Sequence, residues 1–112
     1  MAEPTIQQVF GANAQSTATT LTIAKADLAA VGLTASATNT AESLFVALVL
    51  LAKNYLTTAN QENNVDQSVV VVNSSFNFLS FQTRNNQQYR QFSYEVNLQD
   101  IYSGTSPDPD NY

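Results

Sequence analysis

Two carboxylates near the end of the chain, Glu95 and Asp100, are candidates for acid–base chemistry. The chain contains no His and no Cys, so it lacks the commonest general base at neutral pH, the thiolate nucleophile and the usual ligands of zinc. A glycosidase needs its two carboxyl groups on either side of a cleft, about 5 to 9.5 Å apart. A chain of 112 residues without an evident cleft does not favour that arrangement. We therefore predict a protein that is not an enzyme and that holds no cofactor.

A second pair of carboxylates, Asp108 and Asp110, lies in the final stretch "SPDPDNY" and could suggest calcium. An EF-hand loop carries a longer series of oxygen ligands arranged around a glycine. The stretch lacks both features, so we predict no metal site.

Basic residues interleaved with aromatics occur once, in "TRNNQQYRQFSYEVNL", where Arg84 and Arg90 flank Tyr89. Such a pattern is typical either of a nucleic-acid surface or of a β-hairpin whose aromatics face a core. The chain has only four basic residues and a net charge of -5, which is a poor match to phosphate. We predict a hairpin that turns at Asn85 and Asn86, and no nucleic-acid partner. The arginines would be suited to bidentate contacts with carboxylates of another protein chain.

The apolar pattern has period 3.6 before residue 65 and period 2 after it, and so predicts an α+β fold. The sequence predicts one principal buried helix over residues 41–57, with Asn39 as its N-cap, followed by a loop over 60–66. An antiparallel β-sheet should form largely from residues 66–100, with a bulge or a change of neighbours within "SFNFLSFQT". In the returning strand we expect a core face, and its members share one parity: Phe92, Tyr94, Val96 and Leu98.

Shorter elements precede the principal helix. We expect a helical turn around Ile6, Val9 and Phe10 that stops at Gly11, and a half-buried strand over 18–25. A short helix should follow and end at Gly32.

The principal helix is apolar on both sides. One stripe includes Leu44, Leu48 and Leu51, while Val46 and Val49 lie with Leu50 on the opposite side. A helix that is apolar all round is buried all round, either by its own sheet or by a second subunit. The sequence leaves both possibilities open.

We predict one domain over residues 1–102 and an extended C-terminal arm over 103–112, because the arm contains prolines and has no periodicity. Both ends of the chain should reach neighbouring subunits in a dimer or trimer. The predicted protein-interface residues are Ile6, Val9, Phe10, Val46, Val49, Leu50, Arg84, Arg90, Tyr102 and Tyr112.

The longest apolar run has nine residues, 44–52, against the roughly 20 that a membrane-spanning helix needs. The opening "MAEPTIQQ" lacks the basic and apolar blocks of a signal peptide. The sequence therefore predicts a soluble protein that is made in the cytoplasm and has no membrane partner.

Three stretches, "IQQVFGANA", "LTIAKADLAAVGLTASATNTAESLFVALVL" and "DPDNY", together resemble small proteins of cyanobacteria and their phages. Within that group the resemblance is to virion structural proteins of the capsid cement or decoration type. It implies a protein on the capsid surface, made in the host cytoplasm, that binds the major capsid protein and staples neighbouring capsomers. The resemblance implies no catalytic residue.

A carbohydrate-binding or adhesion module is the alternative. Tyr and Phe on a sheet rich in Asn and Gln could stack on sugar rings. That function requires Tyr89, Tyr94 and Tyr102 to form one open aromatic platform.

Overall fold

The computed structural model describes residues 2–101 and 106–112, and it has the predicted α+β fold. The helices are α1 (Ile6–Phe10), α2 (Ala41–Tyr55) and α3 (Thr58–Glu62), with 3₁₀ helices at Lys25–Val31 and Pro109–Asn111. The strands are β1 (Gln15–Ser16), β2 (Leu21–Thr22), β3 (Val69–Asn73), β4 (Leu79–Arg84), β5 (Gln87–Phe92) and β6 (Tyr94–Leu98).

Helix α1 is capped at both ends, and its C-terminal stop at Gly11 is the one that the sequence predicts. The side chains and backbone of Thr5 and Gln8 form a reciprocal capping box. Gly11 ends the helix with φ +110, a backbone angle that side chains rarely tolerate. The next short helix also ends at its predicted glycine, Gly32, but it is a 3₁₀ helix.

Helix α2 carries the predicted principal element, but its N-cap is Thr40, and the prediction of Asn39 was wrong. The Thr40 side chain accepts a hydrogen bond from the backbone N–H of Ser43. The Asn39 side chain is already engaged in the preceding loop, where it accepts from the Ser36 N–H and donates to the Thr34 carbonyl. Lys53 lies in the last turn, where it complements the helix dipole.

The core is small. Helix α2 contacts α1 and the first 3₁₀ helix, and it also contacts β3. Among the described residues, the buried hydrophobic side chains are Ala14, Leu28, Ala47, Leu56, Val70 and Val71. Ala47 is the one buried residue of α2, so the described part of the chain covers the principal helix only partly.

The predicted sheet over residues 66–100 is two antiparallel ladders in this part of the structure, β3–β6 and β4–β5. They are the two halves of one long hairpin. Five residues, 74–78, separate β3 from β4, whereas Ser93 alone separates β5 from β6. The unequal insertion breaks the ladder at the place where the sequence pattern changes phase. Backbone bonds from Ser74 N to Ser93 O and from Ser93 N to Phe78 O hold the break together.

The distal half of this hairpin turns at Asn85 and Asn86, as predicted, with φ +52 and +61. Consecutive positive angles are typical of a tight hairpin turn, and Asn tolerates them. Nearly every residue of β4 and β5 is exposed. The hairpin therefore projects from the body.

Several local expectations were wrong. The strand predicted over 18–25 is reduced to β2, and its Leu21 is exposed. The loop predicted over 60–66 begins within α3, whose N-cap is Thr57. The expected core face of the returning strand is only partly covered: Phe92, Val96 and Leu98 are exposed and Tyr94 is half-buried. Phe92 ends β5, and the other three lie in β6, which pairs with β3 alone among the described strands.

The described part of the predicted arm, residues 106–112, is not fully extended. The Asp108 side chain caps the 3₁₀ helix at Pro109–Asn111, and Tyr112 is half-buried. Residues 103–105 of the predicted arm, and Tyr102 before it, lie outside the described residues.

Candidate functional site

An open apolar groove lies between α2 and the break in the long hairpin. Its volume is about 480 Å³. Four lining residues come from α2 and three from the chain around the ladder break, and all seven are apolar or aromatic. They are Phe45, Val46, Val49, Leu50, Phe78, Phe92 and Tyr94.

The helical wall contains the second apolar face that the sequence predicts. Phe45 and Val46 are 67% and 55% exposed, and Val49 and Leu50 are half-buried. Full burial of a side chain of this kind contributes about 1.5–3 kcal/mol. Most of that stabilisation is not realised here within a single chain.

The opposite wall is an aromatic cluster. The rings of Phe78 and Phe92 lie 5.6 Å apart between centroids, and Phe78 meets Tyr94 edge to face at 5.4 Å. These separations and tilts are favourable for aromatic pairs. The Lys53 ammonium lies 5.8 Å from the centre of the Tyr94 ring, within cation–π range. The cluster fixes this wall of the groove.

The two arginines lie over aromatic rings of their own hairpin. The Arg84 guanidinium is 4.2 Å from the Tyr89 ring centre, and that of Arg90 is 4.9 Å from the Phe92 ring centre. Both are cation–π contacts. The basic and aromatic residues of this stretch thus contact one another within the predicted hairpin. Contacts between these arginines and another chain stay a prediction.

The predicted interface residues at the chain ends lie apart from the groove. Val9, Phe10 and Tyr112 line a second pocket of about 240 Å³ together with residues of the body. Helix α1 thus docks on its own chain, through its contact with α2, and Ile6 is partly exposed. A contact between these residues and another subunit stays a prediction.

Tyr112 has a perturbed environment in this pocket. Partial burial and the negative charge of Asp100 raise the pKa of its phenol. Both effects disfavour the phenolate. The neutral form of the phenol is therefore favoured at this position.

The same pocket contains Gln67, a residue that the sequence analysis did not single out. Gln67 is 3% exposed, and its Nε2 donates to the carbonyls of Thr57 and Val69. Its Oε1 is buried and has no hydrogen-bond partner among the described residues. Nothing in the local pattern distinguishes Gln67 from the other nine glutamines, because its burial depends on how α3 and β3 pack.

The carboxylates considered for catalysis are not part of the groove. Glu95 is half-buried in β6, and Asp100 is exposed beyond the end of that strand. Within residues 2–101 and 106–112, no three acidic, His or Cys side chains group closely enough to hold a metal ion. The helices in these ranges are all too short or too polar to cross a bilayer.

Comparison of the chain with protein-family models, with curated proteins and with solved structures found no significant match.

Proposed function

We propose that the chain is a non-enzymatic virion structural protein of the cement or decoration type. It binds the capsid exterior through protein–protein contacts and links neighbouring capsomers. The surface that makes the contact is the apolar groove between α2 and the aromatic cluster. Its partner is the major capsid protein, and the chain also associates with itself as a dimer or trimer.

The observation that carries the proposal is the amount of surface left uncovered. The accessible surface of the chain is 8205 Å², whereas a folded monomer of this mass exposes about 6,100 Å². The radius of gyration is 16.2 Å, against about 13 Å for a compact domain of this length. A chain with this much accessible surface has ample area for contacts with other chains.

The chemistry of the groove supports a protein partner. The groove is lined only by apolar and aromatic side chains, and it contains two pairs of contacting aromatic rings. The buried centre of a protein–protein interface has the same character, because charged residues are depleted there and aromatics are enriched. The chain as a whole has only 12% charged residues. Contacts of this kind depend weakly on salt, because ionic screening acts on charges.

The choice of a capsid as the partner rests on the resemblance of "IQQVFGANA", the long central stretch and "DPDNY" to small proteins of cyanobacteria and their phages. A protein that acts by contact area needs no catalytic group. The virion location, with synthesis in the host cytoplasm, belongs to this proposal.

The test is reconstitution on capsids that lack the protein. Purified chain is added to the empty capsids, unbound chain is removed by sedimentation, and the capsid melting temperature is measured. We expect stoichiometric binding and a higher melting temperature. Absence of binding at micromolar concentrations of the chain would contradict the proposal.

The carbohydrate-binding alternative is less well supported by the geometry. The Arg84 guanidinium covers one face of Tyr89, and Tyr94 packs against Phe78 in the groove. These two rings are therefore engaged within the protein. The third member of the required platform, Tyr102, lies outside the described residues.

A further inference from the structure

Among the residues that the structure describes, strand β6 is hydrogen-bonded on one edge only. In an antiparallel ladder, alternate residues turn their N–H and C=O groups towards the partner strand. The Val71 N–H donates to the Leu56 carbonyl, away from β6, and the Gln99 N–H donates to the Ser68 carbonyl. Val71 lies opposite Val96. These two bonds therefore determine which residues of β3 and β6 direct their backbone groups towards each other.

The backbone N–H and C=O groups of each β6 residue therefore point either towards β3 or away from it. Glu95 and Asn97 turn their backbone groups towards β3, whereas Tyr94, Val96 and Leu98 turn theirs outwards. Within the described ranges, the backbone groups of these three residues have no hydrogen-bond partner. Val96 is 57% exposed and Leu98 is 45% exposed. A row of unpaired backbone groups beside apolar side chains is a template for another strand.

The edge also lacks the usual features that prevent such pairing. Natural edge strands are commonly protected by lysines, prolines or bulges. β6 has the sequence YEVNL, which contains no Lys and no Pro, and its one charge is Glu95. The other projecting ladder, β4–β5, does carry cations, Arg84 and Arg90. β6 is therefore the better candidate for an edge that pairs.

The residues of β6 complement those of a second β6 in one register. A twofold axis through Val96 places Val96 opposite Val96 of the second copy, and Tyr94 opposite Leu98. All of these residues have outward backbone groups, so each pair can exchange two hydrogen bonds. The same axis places the Glu95 carboxylate opposite the neutral Asn97 amide.

Shifting the twofold axis by one residue along β6 gives less favourable pairings. An axis through Glu95 would set two carboxylates directly opposite each other, which is destabilising. An axis through Asn97 would leave Tyr94 without a hydrogen-bonded partner. The register through Val96 uses every outward residue of the strand and avoids like charges.

We propose that β6 pairs antiparallel with β6 of a second copy, about a twofold axis through Val96. The product is a four-stranded sheet in the order β3–β6–β6–β3. Isolated two-stranded ladders are marginal in water, and three or more strands are normally needed for stability. This inference specifies the self-association in the proposed function and rests on it, and it uses the groove residue Tyr94 only through its backbone groups.

The test uses the absence of cysteine from the chain. Three full-length variants, Glu95→Cys, Val96→Cys and Asn97→Cys, each carry one thiol. In the proposed register the Cα atoms of the two copies at position 96 are about 5.5 Å apart, within the range that a disulfide spans. At 95 or 97 the two equivalent Cα atoms are offset by two residues, about 8 Å apart, and a disulfide does not reach.

We expect Val96→Cys to form the disulfide dimer about tenfold faster than either neighbour under mild oxidation. Faster cross-linking at 95 or 97 would overturn the register. Equal rates at all three positions would overturn strand pairing.

Sedimentation equilibrium provides a second measurement. The wild type should be a dimer, and Val96→Pro should be a monomer with unchanged circular dichroism, because the Val96 N–H faces outwards and proline there removes no bond to β3. A monomeric or trimeric wild type would overturn the inference. If the wild type were monomeric but still bound capsids, the strand pairing would be wrong and the proposed contact between the groove and the capsid would be retained. A groove variant, Val46→Asp, should remain dimeric.

Discussion

The guanidinium of Arg84 lies 4.2 Å from the centre of the Tyr89 ring, so the end of β4 is tied to the returning strand β5. An exposed cation–π contact contributes about 0.5–1 kcal/mol. We expect Arg84→Gln to lower the free energy of unfolding by up to that amount, whereas Arg84→Lys should retain part of the contact. Urea denaturation of the three proteins measures both effects. A stability that is the same in all three would contradict a structural role for this contact.

The turn that follows tests the hairpin directly. Because Asn86 has φ +61, Asn86→Gly should leave stability unchanged or raise it. Asn86→Val should lower it by about 1–2 kcal/mol, the cost of a left-handed backbone for a side chain that branches at Cβ. Equal midpoints of chemical denaturation for the two variants would show that the turn does not have these angles.

Two glycines with positive φ, Gly11 and Gly32, allow a test of packing. A Cβ added at Gly11 would lie 2.7 Å from the Cβ of Asp27, whereas one at Gly32 would meet no atom of the described residues within 4 Å. Both alanine variants carry backbone strain, of about 1–3 kcal/mol. The strain is greater at Gly11, whose φ of 110 and ψ of 152 suit glycine almost alone, and only Gly11→Ala also displaces Asp27. The Asp27 carboxylate accepts from the backbone and side-chain N–H groups of Asn13, so those bonds are disturbed as well.

We therefore expect Gly11→Ala to melt at a lower temperature than Gly32→Ala. The reverse order would contradict the close approach of the first glycine to Asp27.

The buried Gln67 predicts a pH-dependent effect. In Gln67→Glu the new carboxyl group faces the carbonyls of Thr57 and Val69, which now accept from the amide. Burial and these oxygens would raise the pKa of the new Glu above its unfolded value of about 4.3. A raised pKa means that the variant loses stability as the pH rises through and above that value.

The variant should thus be close to the wild type at pH 4 and clearly less stable at pH 7. Gln67→Leu is the control, because its deficit should not depend on pH. Thermal melts of the three proteins at both pH values provide the comparison. A deficit of Gln67→Glu that is equal at pH 4 and pH 7 would be inconsistent with the burial of this side chain.

Local signals made much of the fold predictable. The stop of α1 at Gly11, the apolar run of α2 and the Asn85–Asn86 turn each depend on residues close in sequence, and each is confirmed. The two-sided apolar pattern of α2 also predicted the helical wall of the groove.

The remaining features depend on distant contacts. Helix α3 is five residues long and has no apolar periodicity, so only its N-cap, Thr57, could have indicated it. The five-residue insertion at 74–78 appears in the sequence as a change of phase, which does not reveal how many residues are unpaired. The burial of Gln67 and the exposure of Val96 follow from which elements pack together, and no short pattern encodes that.

The central claim, that the groove binds another protein chain, is tested most directly by one matched pair of variants. Val46 lies in the groove and is 55% exposed, and Val65 is exposed outside it. The same change, Val→Asp, at either position should therefore have little effect on the folding of the isolated chain. Binding of each variant to capsids that lack the protein is measured by co-sedimentation. We predict that Val46→Asp weakens binding at least tenfold while Val65→Asp binds as the wild type does; equal binding of the two variants would contradict the claim.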